Sequence, residues 1–599
     1  MVNNDANNLD CVGDGGVQTV IYAMMTHPAS AKCASKALRF IAELPGIGFD
    51  MHKLVGWGAV GGVIACMQQL PSDFKIQRFA ADALGAMALD DATVASMLEG
   101  GAVERCIDAL AVQNKSKTPE VAVVRALIEV LGTLAMTAAA ARRCARDDVI
   151  AASTTAVYKA FTNEKTRVAA RRLFERTVDD GMLADTSANV DSGFARFQSM
   201  ANKATAQNLS ASLERLAVFS IAKVNEKTCS AFIHVMKHVS TAKYPKAFLK
   251  HQERILVACA RGLDFAATNK KEGARMRKHI ADSGGIRAAV NAVKLNPKLK
   301  GQVASVLSLL NTLSLDKRHA MQIVADGGIE VCSSTLKEDQ DNLDLCNMAS
   351  GLMLRLSDYE KSAAGIVKYG GTRAMLSNIT ANAGKKGWEE TIKNMLTVLN
   401  KVATTKKRCE KIQKQGAIDA IAATMTAYQD NKDMMDITTE FMKKVVDDLE
   451  VRRLCARVNE LYAEGDYTNP EFIRLVNVLG ALAQDPRFAK IINESGAGQA
   501  FLAIAGLMRR YPADKDIPDR NVAAAVGASI RALGNLTYAD GGVDPSLAVP
   551  LLLEALQHKD LAKFALAAIG KLAAGDDDEC ARAFIRAGGV AALVTFFAH

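Results

Sequence analysis

The sequence predicts an all-α protein built from repeated helical units, and three observations support this prediction. The apolar fraction of the 599 residues is 49%, but aromatic residues make up only 5% and prolines number only 12. This composition suits closely packed helices better than a β-rich core. Glycines recur at a fixed spacing of 43 residues. Apolar stretches with helical spacing recur between these glycines, so the chain is better described as an array than as about four separate domains.

The glycine period is carried by nine short phrases of the form GGV, GAV, GGI or a close variant. They stand at Gly15, Gly58, Gly101, Gly284, Gly327, Gly370, Gly416, Gly496 and Gly588. The first three are 43 residues apart, and so are the next three. Most of them open an apolar helical stretch, such as GIEVCSSTL. We expect each glycine to end one helix and to let the chain turn into the next.

A second apolar stretch follows in each unit. Examples are ALRFIAEL at 37–44, VLSLLNTLSL at 306–315, VLGALAQD at 478–485 and ALGNLTYAD at 532–540. Leu, Ala and Ile recur there at i, i+3, i+4 and i+7, which predicts an amphipathic helix with one buried stripe. One unit alone cannot bury this stripe, so neighbouring units must stack.

This pattern resembles the armadillo repeat, a unit of roughly 42 residues with a G-[GA]-[VI] opening and a long third helix containing the phrase aLxnLa. The match covers residues 15–135, 284–423 and 495–598. The phrases RVAARRLFERTV, SLERLAVFSIAKV and RILVACARGLDFA lack the glycine opening and look like HEAT-type hairpins. The resemblance implies a right-handed α-solenoid of about 13 armadillo or HEAT-like repeats, ending in a capping half-repeat.

Three regions are expected along the array. Residues 1–182 form N-terminal armadillo repeats, residues 183–283 form irregular HEAT-like repeats with a basic surface, and residues 284–599 form C-terminal armadillo repeats. LADTSANVDSG at 183–193 is polar and rich in turn formers, which predicts a loop or hinge. RRYPADKDIPDRN at 509–521 carries two prolines and alternating charge, which predicts an exposed loop.

The stretch GWGAVGG contains Gly56, Gly58 and Gly61 in the G-x-G-x-x-G spacing of a dinucleotide site. That site needs a β-strand before the glycines and an acidic residue about 20 positions later. DMHKLVGW reads instead as the end of a helix, and Gly58 fits the 43-residue period. We therefore predict an inter-repeat turn, with a nucleotide-binding enzyme as the alternative. No P-loop, G-x-S-x-G or H-E-x-x-H motif occurs, so we assign no catalytic, cofactor or metal residue and expect a protein that is not an enzyme.

A metal site and an acidic site are the other chemical candidates. His234 and His238 lie at i and i+4, with Cys229 and His251 nearby, but Lys237 opposes a cation and the ligand set is incomplete. We expect a half-exposed helical face there. The acidic residues at 576–579 are expected to stabilise a helix start. The 12 cysteines form no C-x-x-C pair, and no apolar run or leader predicts membrane insertion, so we expect a cytoplasmic protein with reduced thiols.

Charge is concentrated in the middle of the chain. From Lys237 to Lys300 there are 15 Lys and Arg against 4 Asp and Glu, a net charge of +11, whereas the whole chain carries +9. KVATTKKRCEKIQKQ at 401–415 is a second basic cluster. The candidate partner-binding residues are Lys237, Lys243, Lys246, Lys250, Lys270, Lys271, Arg275, Arg277, Lys278, Lys406, Lys407 and Arg408. They either contact an acidic partner or only solvate helix faces. Nucleic acid is not expected, because few aromatic residues interleave these cations.

The resemblance also implies a function. Armadillo proteins are generally binding scaffolds whose third helices line a groove for extended peptides or partner domains. In the importin-α branch, a ladder of Trp and Asn on the third helix grips the peptide. Asn311, Asn400 and Asn535 match the Asn position and are groove candidates, but neither Trp57 nor Trp388 stands at the Trp position.

The layout is also similar to the armadillo proteins of cilia and flagella. This similarity implies a structural component of a large cytoskeletal or axonemal assembly, with tubulin or axonemal proteins as partners. A soluble peptide-binding adaptor in transport or signalling is the alternative.

Overall fold

Helices connected by short turns make up the structure. It is a computed structural model that describes residues 15–116, 118–160, 163–242, 244, 248–428, 431–512, 517–518, 520–538, 542–558, 560–574 and 578–598. Within these ranges the chain contains no β-strand, which confirms the all-α prediction. The helices group into two compact units, an N-terminal unit, Met1–Asp326, and a C-terminal unit, Gly327–His599.

Most repeats consist of a short first helix, a second helix and a longer third helix. One complete example is Asp91–Glu99, Ala102–Lys115 and Val121–Leu134. The second helix follows a glycine, and the third helix carries most of the buried apolar residues. This succession confirms the predicted armadillo-type repeat fold. The number of about 13 repeats and the right-handed superhelix stay predictions.

The N-terminal unit contains helices of each kind. First helices are Met51–Gly56, Asp91–Glu99, Ala138–Cys144, Gly273–Asp282 and Lys317–Asp326. Second helices are Gly16–Thr26, Ala59–Gln69, Ala102–Lys115, Asp147–Lys159 and Gly285–Leu295. Third helices are Ala31–Glu43, Phe74–Met87, Val121–Leu134, Glu164–Thr177, Lys203–Phe219, Leu249–Ala267 and Lys300–Leu313. A 3₁₀ turn, Leu44–Ile47, follows the third helix that begins the unit.

The C-terminal unit repeats the same order. First helices are Glu360–Lys368, Lys406–Gln413, Pro486–Glu494 and Asp578–Arg586. Second helices are Gly328–Glu338, Gly371–Asn382, Ala417–Ala427, Gly498–Gly506, Pro545–Ala555 and Gly589–Ala598. Third helices are Leu343–Leu356, Glu389–Val402, Lys432–Val445, Pro470–Leu482, Arg520–Tyr538 and Ala562–Ala574.

The nine glycines of the period all have a left-handed backbone, with φ between +72° and +100°. An L-residue with a side chain is strained in this conformation, whereas glycine is not. Gly58, at a φ of +82°, lies between the helices Met51–Gly56 and Ala59–Gln69. The stretch GWGAVGG is therefore an inter-repeat turn preceded by a helix, as predicted, and lacks the strand that a dinucleotide fingerprint requires.

Three repeats replace the first and second helices with one continuous helix. These helices are Asp180–Ser199, Glu226–Thr241 and Asp448–Ala463. None of the left-handed glycines lies within them. This arrangement agrees with the HEAT-like hairpins expected in the middle of the chain.

The loop or hinge predicted at residues 183–193 is wrong, because this segment lies inside the helix Asp180–Ser199. Leu183, Val190, Phe194 and Phe197 are buried along one side of that helix, so tertiary burial overrides the local turn preference. The three-region division of the chain stays a prediction. In the loop predicted at 509–521, Leu507–Arg510 forms a 3₁₀ helix and residues 513–516 and 519 lie outside the described residues.

Small residues let neighbouring third helices approach closely. A Cβ atom added to Gly132 would lie 3.4 Å from the backbone nitrogen of Leu173 in the following third helix. A Cβ atom on Gly534 would lie 2.8 Å from the Cα of Ala568. The glycine in the recurrent phrases VLGTL and ALGNL therefore serves helix contact rather than a turn.

Close packing of third helices continues through most of the described N-terminal unit but lapses at one step. This step leads from Glu164–Thr177 to Lys203–Phe219, where the Phe174 and Phe219 rings still meet with centroids 6.0 Å apart. The continuous helix Asp180–Ser199 lies between the two in sequence. The wider spacing leaves room for long side chains between the third helices.

The two neighbouring glycines of GWGAVGG are expected to respond oppositely to alanine. Gly58→Ala should lower the local opening free energy by about 1 kcal/mol, because alanine is strained in the left-handed region. Gly61 lies inside the helix Ala59–Gln69, and a Cβ atom there meets no atom within 4 Å. Gly61→Ala should therefore raise the local opening free energy by about 0.5–1 kcal/mol. Amide hydrogen exchange across residues 51–69 measures both changes. Equal responses would contradict the assigned turn.

Candidate functional site

Four arginines lie on the third helices that border and follow the widened step of the N-terminal unit. We call Arg167, Arg171, Arg215 and Arg261 the arginine seam. Arg167 and Arg171 lie one turn apart on the helix Glu164–Thr177, and the other two come from the next two third helices. All four side chains are half-buried. The sequence brings them together because each third helix places residues of equivalent register on the same face of the stack.

Arg261 reaches furthest across the step. Its guanidinium carbon lies 4.6 Å from the centroid of the Tyr158 ring, and its Nη1 donates to the Tyr158 carbonyl oxygen at 3.2 Å. Tyr158 lies near the end of the second helix Asp147–Lys159. Its contact with Arg261 therefore joins elements about two repeats apart. Burial lowers the pKa of the Arg261 guanidinium and raises the pKa of the Tyr158 hydroxyl. The pair fixes one wall of the seam by cation–π contact and a hydrogen bond.

Asp264 is a buried acidic residue beside the arginine seam. Its carboxylate accepts hydrogen bonds from the Ser308 hydroxyl at 2.7 Å and the Thr312 hydroxyl at 2.6 Å. Burial raises the pKa of this carboxyl, and those two hydroxyls and the charge of Arg167 lower it in part. Asp264 therefore ties the third helix Leu249–Ala267 to Lys300–Leu313 while it partly balances the seam.

Three arginines of the seam hold buried N–H groups that lack an acceptor. Among the described residues, the Nε atoms of Arg167, Arg171 and Arg215 are buried and meet no hydrogen-bond partner. Arg167 and Arg215 each pair through another nitrogen, with Glu164 and Asp147 respectively. A buried donor that bonds to neither water nor protein costs about 1–3 kcal/mol. The seam can therefore accept an anionic group that supplies oxygen acceptors.

A second ion pair borders the seam. Arg254 meets Glu214 through two hydrogen bonds, from Nε at 2.6 Å and from Nη2 at 3.0 Å. Arg215, adjacent in sequence to Glu214, lies over the Phe219 ring with its guanidinium carbon 5.4 Å from the ring centroid. Both pairs hold their arginines extended along the third-helix face, which reduces the entropy lost when a partner binds.

Several of the predicted basic residues of the middle region form contacts within the protein, and their role in partner binding stays a prediction. Lys237 donates to the Ser283 carbonyl at 3.1 Å, and Arg275 forms ion pairs with Glu226 at 2.8 Å and with Glu272 at 3.5 Å. Arg277 donates to the Ala267 carbonyl at 2.7 Å. Lys237 and Arg275 are exposed despite these contacts, as are Lys250, Lys270, Lys271 and Lys278. Lys243 and Lys246 lie outside the described residues.

The second basic cluster belongs to the C-terminal unit. Lys406 and Lys407 are exposed at the start of the helix Lys406–Gln413, whose first turn is capped by the Thr405 hydroxyl. Arg408 donates to the Thr404 hydroxyl at 3.0 Å. Lys406 lines an open groove of about 790 Å³ together with Lys443.

The three groove candidates hold their amides in internal hydrogen bonds. Asn311 donates to the Leu307 carbonyl at 3.0 Å within its own helix. Asn400, only 6% exposed, donates to the Ile437 carbonyl at 3.0 Å in the next third helix. Asn535 donates to the Ala483 carbonyl at 2.7 Å. The latter two amides join neighbouring repeats, so the structure uses them as internal bridges.

The residues of the metal alternative are placed in packing contacts. The His234 and His238 rings both meet the Phe194 ring edge-on, at centroid distances of 5.2 Å and 5.4 Å. Cys229 is buried, with its Sγ 3.6 Å from the sulfur of Met276. Within the described residues, no group of three His, Cys, Asp or Glu side chains is placed to hold a metal ion.

The eleven cysteines in the described part of the chain are free thiols, and nine are buried. Burial raises the pKa of the Cys66 thiol to about 11 and that of Cys144 to about 12, which keeps both protonated at neutral pH. Asp576 and Asp577 lie outside the described residues. No single described helix is long and apolar enough to span a membrane, although the bent pair Glu579–Arg586 and Gly589–Ala598 meets the length and composition criteria together.

Sequence reasoning missed the seam because it took the phrase RVAARRLFERTV only as a sign of a helix. Arg167 and Arg171 in this phrase are four residues apart, which places them on one side of the helix. That spacing is the signal that could have indicated a basic face. The contact of Arg261 with Tyr158, 103 residues away, has no such signal.

Comparisons with known proteins find distantly similar solved structures. No protein-family model matches the sequence, and no curated protein matches it. The chain is similar to a structure of the cadherin and beta-catenin interaction, with 12% identity and a TM-score of 0.31 over 86% of this chain and 98% of that one. It is also similar to a SYS-1/POP-1 complex, with 11% identity and a TM-score of 0.36 over 87% and 99%.

UNC-45 from Drosophila melanogaster is a third similar structure. The identity is 13%, and the TM-score is 0.33 over 97% of this chain and 80% of that chain. Likenesses at this distance carry no conclusion about function.

Asp264→Asn is expected to change how stability depends on pH. Because burial raises the folded-state pKa above the unfolded value, the ionised carboxylate costs stability at neutral pH, and the cost shrinks as pH falls through the folded pKa. Near pH 7 the variant should therefore have a melting temperature equal to or higher than that of the wild type. As pH falls to about 4, the melting temperature of the wild type should rise relative to that of the variant.

Asp316→Asn is the matched control of opposite sign. The backbone N–H groups of Arg318 and His319 lower the pKa of Asp316, so the wild type should lose stability relative to this variant as pH falls. If Asp264→Asn instead lowered the melting temperature strongly at neutral pH, the arginine seam would stabilise the ionised Asp264 carboxylate by more than its burial costs.

Proposed function

We propose that the chain is a non-catalytic scaffold that binds other proteins through the third-helix faces of its repeats. The arginine seam is the observation that carries this proposal. It holds half-buried guanidinium groups on stacked helices, and the buried Nε atoms of three of them have no acceptor among the described residues. A purely structural stack gains nothing from such groups, because apolar residues of similar size would fill the step without the desolvation cost.

The seam favours a partner segment with carboxylate side chains. A guanidinium group presents parallel N–H donors that match both oxygens of a carboxylate. Arg171 is the best placed residue for this contact, since its Nε lacks an acceptor and no ion pair occupies its other nitrogens within the described residues. Partners with acidic surfaces were also expected from the net charge of the middle region.

The scaffold is further proposed to be a structural component of a large cytoskeletal or axonemal assembly. Tubulin or axonemal proteins are the proposed partners, and the cytoplasm, including a cilium or flagellum, is the proposed location. The repeated layout of both units and the similarity of this layout to ciliary armadillo proteins support this finer proposal. A transient adaptor that binds soluble peptides is the competing role, and salt dependence separates the two.

Cross-linking mass spectrometry of the protein from its native source tests the assembly role. We expect cross-links to one or two stoichiometric partners that persist at high salt, because a built-in component buries apolar as well as charged contacts. Partners that dissociate at high salt, or a free monomer at both salt concentrations, would contradict the structural role and favour the adaptor.

Arg171→Glu is expected to weaken binding of the cross-linked partner at least about tenfold, since it places a carboxylate where a partner carboxylate must sit. Lys165→Glu is the matched control, because Lys165 is an exposed cation on the same helix and outside the seam. Titration of each variant with the purified partner gives the affinities. Equal affinities for the two variants would exclude the seam as the binding surface.

A further inference from the structure

A cavity of about 410 Å³ lies between two neighbouring first helices of the N-terminal unit. Its walls come from Gly273–Asp282 and Lys317–Asp326 and from the turn that precedes the second of these helices. The third-helix face contributes no residue to it. Its volume falls within the usual range of ligand cavities, roughly 300–1,000 Å³.

Three cations line this cavity, and two of them are available to a ligand. Arg277 is anchored by its bond to the Ala267 carbonyl. Lys278 is exposed on the helix Gly273–Asp282, and Arg318 projects from the opposite wall. Neither Lys278 nor Arg318 forms an ion pair within the described residues. An anionic group between the two walls would therefore meet positive charge from both sides.

The acidic residues of the cavity do not neutralise these cations fully. Asp316 caps the helix Lys317–Asp326, because one of its carboxylate oxygens accepts the backbone N–H groups of Arg318 at 2.8 Å and of His319 at 3.4 Å. Asp282 is exposed at the end of the other helix. The cavity keeps a net positive charge, and one of its two walls belongs to the basic region at 237–300.

The cavity also offers an apolar contact and an unsatisfied polar group. Leu315, in the turn before the helix Lys317–Asp326, is 68% exposed and lines the cavity beside the cations. His319 is only 9% exposed, and its Nδ1 has no hydrogen-bond partner among the described residues. Unsatisfied buried polar atoms in native structures call for a ligand, an ion or a water.

From this geometry we propose that the cavity binds an acidic segment of a partner protein. One or two carboxylate side chains of the segment lie between Lys278 and Arg318, and an aliphatic side chain of the same segment rests on Leu315. A protein segment is favoured over nucleic acid because no Phe, Tyr or Trp side chain lines the cavity for base stacking. It is favoured over a free anion because Leu315 adds an apolar contact that a free anion cannot use.

This binding site goes beyond the function proposed above, because it lies on first helices and not on the third-helix face. The two surfaces can therefore be tested separately on the same full-length chain. The probe is a short fluorescein-labelled peptide in which paired glutamates alternate with single leucines, and fluorescence anisotropy at low salt gives its affinity.

The double variant Lys278→Glu with Arg318→Glu is expected to weaken peptide binding at least about tenfold. The double variant Lys32→Glu with Lys36→Glu is the matched control, since it makes the same change of net charge at two exposed lysines of the helix Ala31–Glu43. This control should stay within about twofold of the wild type. Leu315→Ala should weaken binding at low and at high salt, because it removes an apolar contact that salt does not screen.

Three outcomes would overturn the proposal. The first is that the peptide does not bind the wild-type chain. The second is that the cavity double variant and the control double variant weaken peptide binding equally. The third is that inorganic phosphate displaces the peptide while Leu315→Ala leaves its affinity unchanged. Arg171→Glu separates this site from the arginine seam. Loss of peptide binding in Arg171→Glu alone would place the peptide on the third-helix face and leave the function proposed above standing without the cavity.

Discussion

A left-handed backbone turn at one position of the repeat is the constraint on which the rest of the structure depends. Only glycine adopts this conformation without strain, and nine repeats place a glycine there. The turn lets a short first helix end and a second helix begin in a new direction. In these repeats the change of direction lets the long third helix lie along its neighbours and bury its apolar stripe.

The consequence of losing this glycine is visible within the same chain. Asp180–Ser199 and Asp448–Ala463 run as single helices, and close third-helix packing lapses beside each of them. Glu226–Thr241 is also continuous, but the third helices on either side of it remain in close contact. A continuous helix therefore permits a wider step without requiring it. In the N-terminal unit, arginines lie beside the Phe174 and Phe219 rings at the widened step, and these arginines create the candidate site.

The sequence predicts the glycine turns well because a local backbone requirement produces them. It predicts 183–193 wrongly because Asp, Ser and Asn favour turns locally, whereas burial of Leu183, Val190 and Phe194 depends on neighbours elsewhere in the chain. The candidate site is harder to predict from the sequence than the helix at 183–193. The contact of Arg261 with Tyr158 and the bonds from Ser308 and Thr312 to Asp264 join residues more than 40 positions apart. No local pattern specifies those pairs.

Charge illustrates the same limit most directly. The net charge of +11 between residues 237 and 300 identifies a basic region, but it does not say which cations are already paired. Arg275 is paired with Glu226 from the preceding repeat and Arg287 with Asp326 from the next one, and neither acidic residue lies within the counted window.

An exposed pair such as Arg275 with Glu226 contributes about 0–1 kcal/mol to stability, so its main effect is to occupy the cation. The cations left without a pair, such as Lys278 and Arg318, are the ones that can recognise a partner. Which cations these are depends on the stacking of repeats, because an acidic residue about one repeat away in sequence decides whether each cation is neutralised. In a repeat array, the binding surface is therefore set by the register between repeats as much as by composition.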